Sequence, residues 1–121
     1  MEYGISYDTQ NACLIGFIKG KLDLSGVNQF IRVIKDAMIE HDCKLIVNDL
    51  REVELEVSAF EIFVVPKFIE EIDLPEGFKR ALVASNDFKK YDFFQNISSK
   101  RGQCMGIFRD IDEAITWLKE E

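Results

Sequence analysis

Among the side chains of this sequence, the Ser58 hydroxyl is the best placed to do chemistry. Ser58-Ala59-Phe60-Glu61 has the spacing of a capping box, with Ser58 as N-cap and Glu61 three residues on. A hydroxyl at a helix N-terminus is accessible. A phosphate on it would meet free backbone N–H groups and the positive end of the helix dipole. Ser58 is therefore the phosphoacceptor candidate. Other polar residues follow apolar runs in the same way: Asp23 and Ser25, then Asp49, then Ser85, Asn86 and Asp87, then Arg109 and Asp110. Ligands of open α/β sheets gather outside the carboxyl ends of the strands. Asp23, Ser25, Asp49, Ser58, Ser85 and Asn86 are thus expected to converge on one edge as an interaction surface, although each could serve simply as a cap.

Catalytic patterns are missing. Neither GxGxxG nor GxxxxGK[ST] occurs, and there is no Gly-x-Ser-x-Gly elbow. The one histidine, His41, follows the first predicted helix, where it would serve the helix dipole. One histidine and three scattered cysteines do not write a zinc site. Glu52, Glu54 and Glu56 recur at strand period and belong on one solvated face. No catalytic residue, metal or cofactor is assigned, and the chain is not expected to be an enzyme.

The elements that must position these residues follow from hydrophobic period. Residues 3–7 and 12–19 read as a hairpin of two strands around the turn Asp8-Thr9-Gln10-Asn11. A helix over about 25–40 carries Val27, Phe30, Ile31, Ile34, Ala37 and Met38 on one face. Residues 43–48 form a strand apolar on both faces, hence central. Residues 49–57 read as a polar connection. A second helix starts at Ser58 and must kink or restart at Pro66. Residues 80–84 form a short strand. A helix over about 87–100 is capped by Ser85-Asn86-Asp87 and ended by Gly102. A strand over 104–108 and a last helix capped by Asp110 close the chain. The order ββαβαβαβα predicts an α/β fold with a mixed, mostly parallel five-stranded sheet and an antiparallel edge.

At 121 residues, one domain over 1–121 is expected, and 47% apolar residues with ten phenylalanines supply a core. The net charge of −7 disfavours nucleic acid and anionic membranes. Acidic residues crowd 40–76, and basic ones, among them Lys79, Arg80, Lys89, Lys90 and Arg101, crowd 77–109. The latter could meet an acidic patch on a partner or on a second copy. Cys13, Cys43 and Cys104 read as free buried thiols. No apolar run approaches the ~18 residues of a membrane span, and no signal sequence is read, so a cytoplasmic location is expected. Phe60, Phe63 and Phe68 of the second helix and Tyr91 and Phe94 of the third could wall an apolar pocket for a small molecule. The exposed edge of the opening hairpin offers a route to a homodimer.

Three segments carry a resemblance to the STAS family, and more closely to its SpoIIAA-like, STAS/SEC14-like branch. Gly20-Lys21-Leu22-Asp23 resembles the family's turn before the first helix. Leu45-Ile46-Val47-Asn48-Asp49-Leu50 is similar to its central strand ending in Asp-Leu. Residues 107–118, with Phe108, Glu113-Ala114 and Trp117-Leu118, resemble the branch's closing strand and helix. The resemblance implies a mixed sheet with packed helices and a role in protein–protein signalling. In the family's best-known members a Ser in an Asp-Ser-Ser-Gly segment at the start of helix 2 is phosphorylated. Here that segment is Val57-Ser58-Ala59-Phe60, with one Ser and neither the Asp nor the Gly. The SEC14-like side of the branch implies lipid binding. The expected function is a regulatory or protein-interaction module, with carriage or sensing of an apolar small molecule as the alternative.

Overall fold

The computed structural model describes residues 1–120. In chain order the elements are β1 (Glu2–Asp8), β2 (Cys13–Leu22), α1 (Leu24–Glu40), β3 (Leu45–Leu55), α2 (Ala59–Ile72), β4 (Lys79–Val83), α3 (Phe88–Lys100), β5 (Cys104–Phe108) and α4 (Ile111–Leu118). The five strands lie side by side in sequence order. β1 pairs antiparallel with β2, and β2, β3, β4 and β5 pair parallel. The mixed, mostly parallel sheet expected from the element order is the one observed. In the β1–β2 turn, Asp8 accepts from the backbone N–H groups of Gln10 and Asn11 at 3.0 and 3.1 Å.

Three parallel crossovers step across the sheet in one direction. Right-handed crossovers in one direction must place their helices on one face. α1, α2 and α3 accordingly share the large core, through Phe30, Ile34 and Met38, Val65 and Ile69, and Tyr91. Only α4 covers the other face, setting Ala114 and Leu118 against Cys13, Val47, Ala81 and Val83. Lys79 fastens α4, donating to the carbonyl of Trp117 at 2.9 Å and lying over the Trp117 ring.

β3 departs from its sequence reading. Residues 49–55, expected as a polar connection, continue the strand. The register with β2 passes from Phe17↔Asp49 to Lys19↔Glu52, so Leu50 and Arg51 together oppose Ile18. This is a β-bulge, one extra residue on β3. It lets Leu50 and Val53, three residues apart, both face the large core, which period-2 reading of the sequence would forbid. Beyond Asp49, the last residue paired to β4, β3 runs on with β2 alone as a two-stranded ribbon. Glu52, Glu54 and Glu56 stand exposed on its outer side, and two pairs bridge the strands, Lys19–Glu52 at 3.5 Å and Lys21–Glu56 at 3.8 Å.

Two further readings are corrected. Of the two outcomes expected at Pro66, the restart is overturned: α2 runs through it as one helix. The Pro66 carbonyl accepts from Gln103 Nε2 at 2.9 Å. Cys104 is exposed at the start of edge strand β5, while Cys13 and Cys43 are buried, Cys43 just ahead of β3. Burial pushes the Cys13 thiol up to about 11, so it stays protonated and unreactive.

Gly16 sits where β2 passes under α1. A Cβ there would come 2.9 Å from Phe30 Cζ and 3.1 Å from Asn48 Oδ1. Gly16→Ala should therefore destabilise the protein by about 1–3 kcal/mol through overpacking. Urea unfolding checks this; an unchanged midpoint would show that Phe30 and Asn48 can yield.

Candidate functional site

The six residues expected on one edge occupy two places. Asp23 and Ser58 cap neighbouring helices at the far end of the β2–β3 ribbon, just past the Leu22↔Leu55 pair. Asp23 accepts from Gly26 N–H at 2.8 Å. Ser25, in the first turn of α1, is exposed. At Ser58 both halves of the capping box are formed: Ser58 Oγ accepts from Glu61 N–H at 3.1 Å and Glu61 Oε1 accepts from Ser58 N–H at 3.0 Å.

Asp49, Ser85 and Asn86 belong elsewhere. Asp49 lies opposite Val83, the last residue of β4, and residues 50–55 separate it from the ribbon's tip, roughly 20 Å of strand. Asp49 accepts from Arg51 at both oxygens, from Nε at 2.9 Å and Nη2 at 2.8 Å. These bonds hold its carboxyl below the ordinary value of 3.8. Ser85 Oγ donates to the Arg51 carbonyl at 3.0 Å, and Asn86 is exposed. Neither caps α3: its N-cap is Asp87, in the left-handed region at φ 57° and without a side-chain cap bond. One converging edge is therefore corrected to two sites, because β3 outruns β4.

The five aromatic candidates also separate. Phe60 and Phe63 are 78% and 53% exposed and line neither the cavity under α1, α2 and α3 nor the groove at Phe68. They stand one turn apart on α2, beside the Ser58 cap. Phe68 is half-buried under the Arg32 guanidinium, in a groove with α1 residues. Tyr91 and Phe94 do line a cavity, of about 80 Å³, between the sheet and α1, α2 and α3. Val27, Phe30 and Ile34 of α1, Ile62 and Val65 of α2, and Leu50 and Leu82 of the sheet complete its apolar wall.

Four polar side chains line this cavity, Asn48, Arg80, Tyr91 and, at its rim, Lys90, and sequence reading assigned none of them a polar role there. Arg80, counted there among surface cations, is only 4% exposed. It stands on β4 opposite Ile46, and Asn48 is two residues along on β3, so the two are diagonal neighbours on one face. Tyr91 descends from α3. Arg80 Nη2 donates to Ser98 Oγ and Gln103 Oε1, both at 3.3 Å, and its guanidinium lies 5.0 Å from the Phe94 ring centre. Arg80 Nε, Tyr91 Oη and Asn48 Oδ1 are buried without hydrogen-bond partners among the described residues. No carboxylate pairs with Arg80 among those residues. Burial lowers the Arg80 pKa to about 10 and pushes the Tyr91 hydroxyl up to about 12. At neutral pH the cavity thus presents a charged guanidinium and a neutral phenol.

No family model matches this chain, and a search of curated proteins gave no match. Solved structures do match. An anti-sigma factor antagonist from Mycobacterium paratuberculosis superposes with a TM-score of 0.63 at 14% identity, over 98% of this chain and 96% of that one. The anti-sigma factor antagonist SpoIIAA, in its unphosphorylated form, gives 0.56 at 14% identity, over 99% and 100% of the two chains. The fold is SpoIIAA-like. A protein of the DUF3478 family from Shewanella loihica PV-4, described with that same SpoIIAA-like fold, gives 0.61 at 16% identity, over 97% and 92%. Within the SpoIIAA-like frame the chain's own residues furnish two features. One is the exposed aromatic pair beside the α1 and α2 caps, and the other is the cavity with its unpaired polar groups. Among the described residues no group of His, Cys, Asp and Glu side chains could hold a metal, and no helix is long and apolar enough to cross a membrane.

Two outcomes follow. Ser58→Ala removes one half of the box and should cost about 1 kcal/mol in urea unfolding; no loss would mean that Glu61 alone satisfies the helix start. Arg51→Gln should destabilise the protein at about pH 6. A depressed native pKa contributes stability that is complete above the ordinary 3.8 and is lost as pH falls through the native value. The gap between variant and parent should close in that window, and a gap constant down to strong acid would remove Asp49 as its cause.

Proposed function

We propose that this protein is a non-enzymatic regulatory module that binds a protein partner through the start of α2 and the adjoining start of α1. The exposure of Phe60 and Phe63 carries the reading. Two phenylalanine rings one helical turn apart, left in water, form the kind of apolar patch that partners cover, and aromatic side chains are enriched in interface cores. Glu56, Ser58 and Glu61 flank them in sequence, and Asp23 and Ser25 open α1, the neighbouring helix at the end of the same ribbon. The three carboxylates among these residues suit a partner that is basic around an apolar centre. Two of the similar structures are anti-sigma factor antagonists, and SpoIIAA has a structure in a phosphorylated form, which supports a regulatory role.

Ser58 is the phosphoacceptor of this proposal. Its hydroxyl is exposed at the helix start, but Glu61 already holds the capping box. A phosphate there would replace the Oγ cap bond and add charge beside Glu56 and Glu61. Phosphorylation of this chain would then act by repelling and loosening the first turn, as an off-switch. A second reading, carriage or sensing of an apolar small molecule, is favoured by the apolar-walled cavity under α2 and α3.

Photo-crosslinking in the native host tests the first reading. A photoreactive residue at Phe63 should trap a discrete protein, one at Thr116 on α4 should not, and Phe60→Ser should abolish the product while leaving the melting temperature unchanged or higher. Absence of a discrete product at 63, or equal products at 63 and 116, would overturn the assignment of this face.

A further inference from the structure

The guanidinium of Arg80 at the cavity under α1, α2 and α3 is bonded to Ser98 and Gln103 through Nη2, but its Nε has no partner among the described residues. Arg80 is 4% exposed, Tyr91 4% and Asn48 6%. Each carries a buried polar atom with no partner among the described residues, and all three line the same cavity. Buried polar atoms in native proteins are normally paired, so three around one space point to something absent that pairs with them. Two of the three are donors, the Nε–H of Arg80 and the O–H of Tyr91, and these set the head group of the ligand; the third, Asn48 Oδ1, is an acceptor that an anion does not pair and that calls for a separate donor such as a water. Arg80 also brings a full positive charge, and Lys90, at the cavity's rim, adds a second cation without an ion-pair partner among the described residues. The missing group is therefore an anion that accepts hydrogen bonds.

The rest of the wall decides which anion. Leu50, Ile34, Val65 and Leu82 surround the polar groups, which suits hydrocarbon and would leave the outer oxygens of phosphate or sulfate unpaired. A carboxylate has two oxygens, the number that Arg80 Nε–H and Tyr91 O–H can serve, and the planar guanidinium matches its geometry. About 80 Å³ is space for a compact acid and not for a long acyl chain. We propose that this cavity binds a short-chain carboxylic acid of about four carbons, with its carboxylate between Arg80 and Tyr91 and its alkyl tail against Ile34 and Val65. This rests on the reading of the cavity as a small-molecule site and specifies the head group and length of its ligand. Such a ligand would bridge β4 and α3 and stiffen the layer that supports α2. Occupancy would thus be felt at the Phe60 and Phe63 face.

Calorimetric titration of the full chain with sodium butyrate tests the proposal, with butyramide as the neutral isostere, sodium phosphate as the apolar-free anion and sodium chloride as the ionic control. Butyrate should bind saturably at one site with a Kd of order a millimolar, as befits six heavy atoms, and raise the melting temperature. Butyramide and phosphate should bind at least tenfold more weakly. Tyr91→Phe removes an oxygen that bonds nothing in the free protein, so it should fold normally and weaken butyrate about tenfold. Arg80→Met should abolish binding; if it fails to fold, Tyr91→Phe decides. Equal binding of butyrate and butyramide, or unaltered butyrate affinity in Tyr91→Phe, would overturn the carboxylate assignment while leaving a small-molecule cavity. Tighter binding of phosphate would overturn the apolar tail. No binding of any probe would overturn the small-molecule reading itself and this proposal with it, the space then holding only water.

Discussion

Handedness governs this structure more than any single contact. Parallel crossovers are right-handed almost without exception, and the strands here follow in sequence order, so α1, α2 and α3 have no choice of face. Three helices crowd one side while the other receives only the two turns of α4. The crowded side must then fill the space between three cylinders and a twisted sheet. Side chains from six elements meet there, and the fit is incomplete: the cavity lies where α1, α2 and α3 all approach β3 and β4. The thin side has the opposite character. It closes over Val47, Ala81 and Val83 and gives out where β4 ends, which leaves the β2–β3 ribbon covered on one side only.

Buried polar groups tie the crowded layer together. Arg80 bonds to Ser98 near the end of α3 and to Gln103 just before β5, and Gln103 in turn bonds to the Pro66 carbonyl in mid-α2. One strand, two helices and a loop are thereby joined. The same arrangement leaves Arg80 Nε without a partner among the described residues, on a side chain that lines the cavity. A methionine in place of Arg80 would remove the desolvation cost but would strand Gln103 and Ser98, and partly stranded networks are worse than apolar packing. The guanidinium is thus fixed by its structural bonds, and only its remaining edge is free for a ligand.

The sequence was most readable where one rule acted alone. The apolar stripe Phe30, Ile34, Met38 located α1, and Ser58 with Glu61 located the start of α2 to the residue. It was least readable where two rules collided. At Leu50–Val53 the bulge shifted the period from two to three, and the outer glutamates made a paired strand look like a loop. Losing that strand displaced Asp49 from the middle of β3 to its end, and so merged two sites into one. Phe60 and Phe63 read as inward because apolar residues usually are, and composition does not distinguish a core ring from an interface ring. Arg80 was assigned outward because arginine is almost never fully buried without an ionic partner. Both misplacements went against the average behaviour of the residue type, and both fell on the two features proposed to carry function.

That coincidence has a physical basis. A residue placed against its preference costs stability, and a fold keeps such a placement only where something repays it or where packing leaves no alternative. Exposed Phe60 and Phe63 are repaid if a partner covers them. Arg80 is partly repaid by Ser98, Gln103 and the Phe94 ring, and fully only if an anion meets its free edge. The two features also share a helix. Ile62 and Val65 of α2 line the cavity, while Phe60 and Phe63 look outward from the same turns. A group that fills the cavity presses on the inner side of the surface that a partner would cover. α2 is therefore the element through which the two sites would be coupled, and its first turn, held by the Ser58–Glu61 box, is where a change of charge would reach the Phe60–Phe63 face directly.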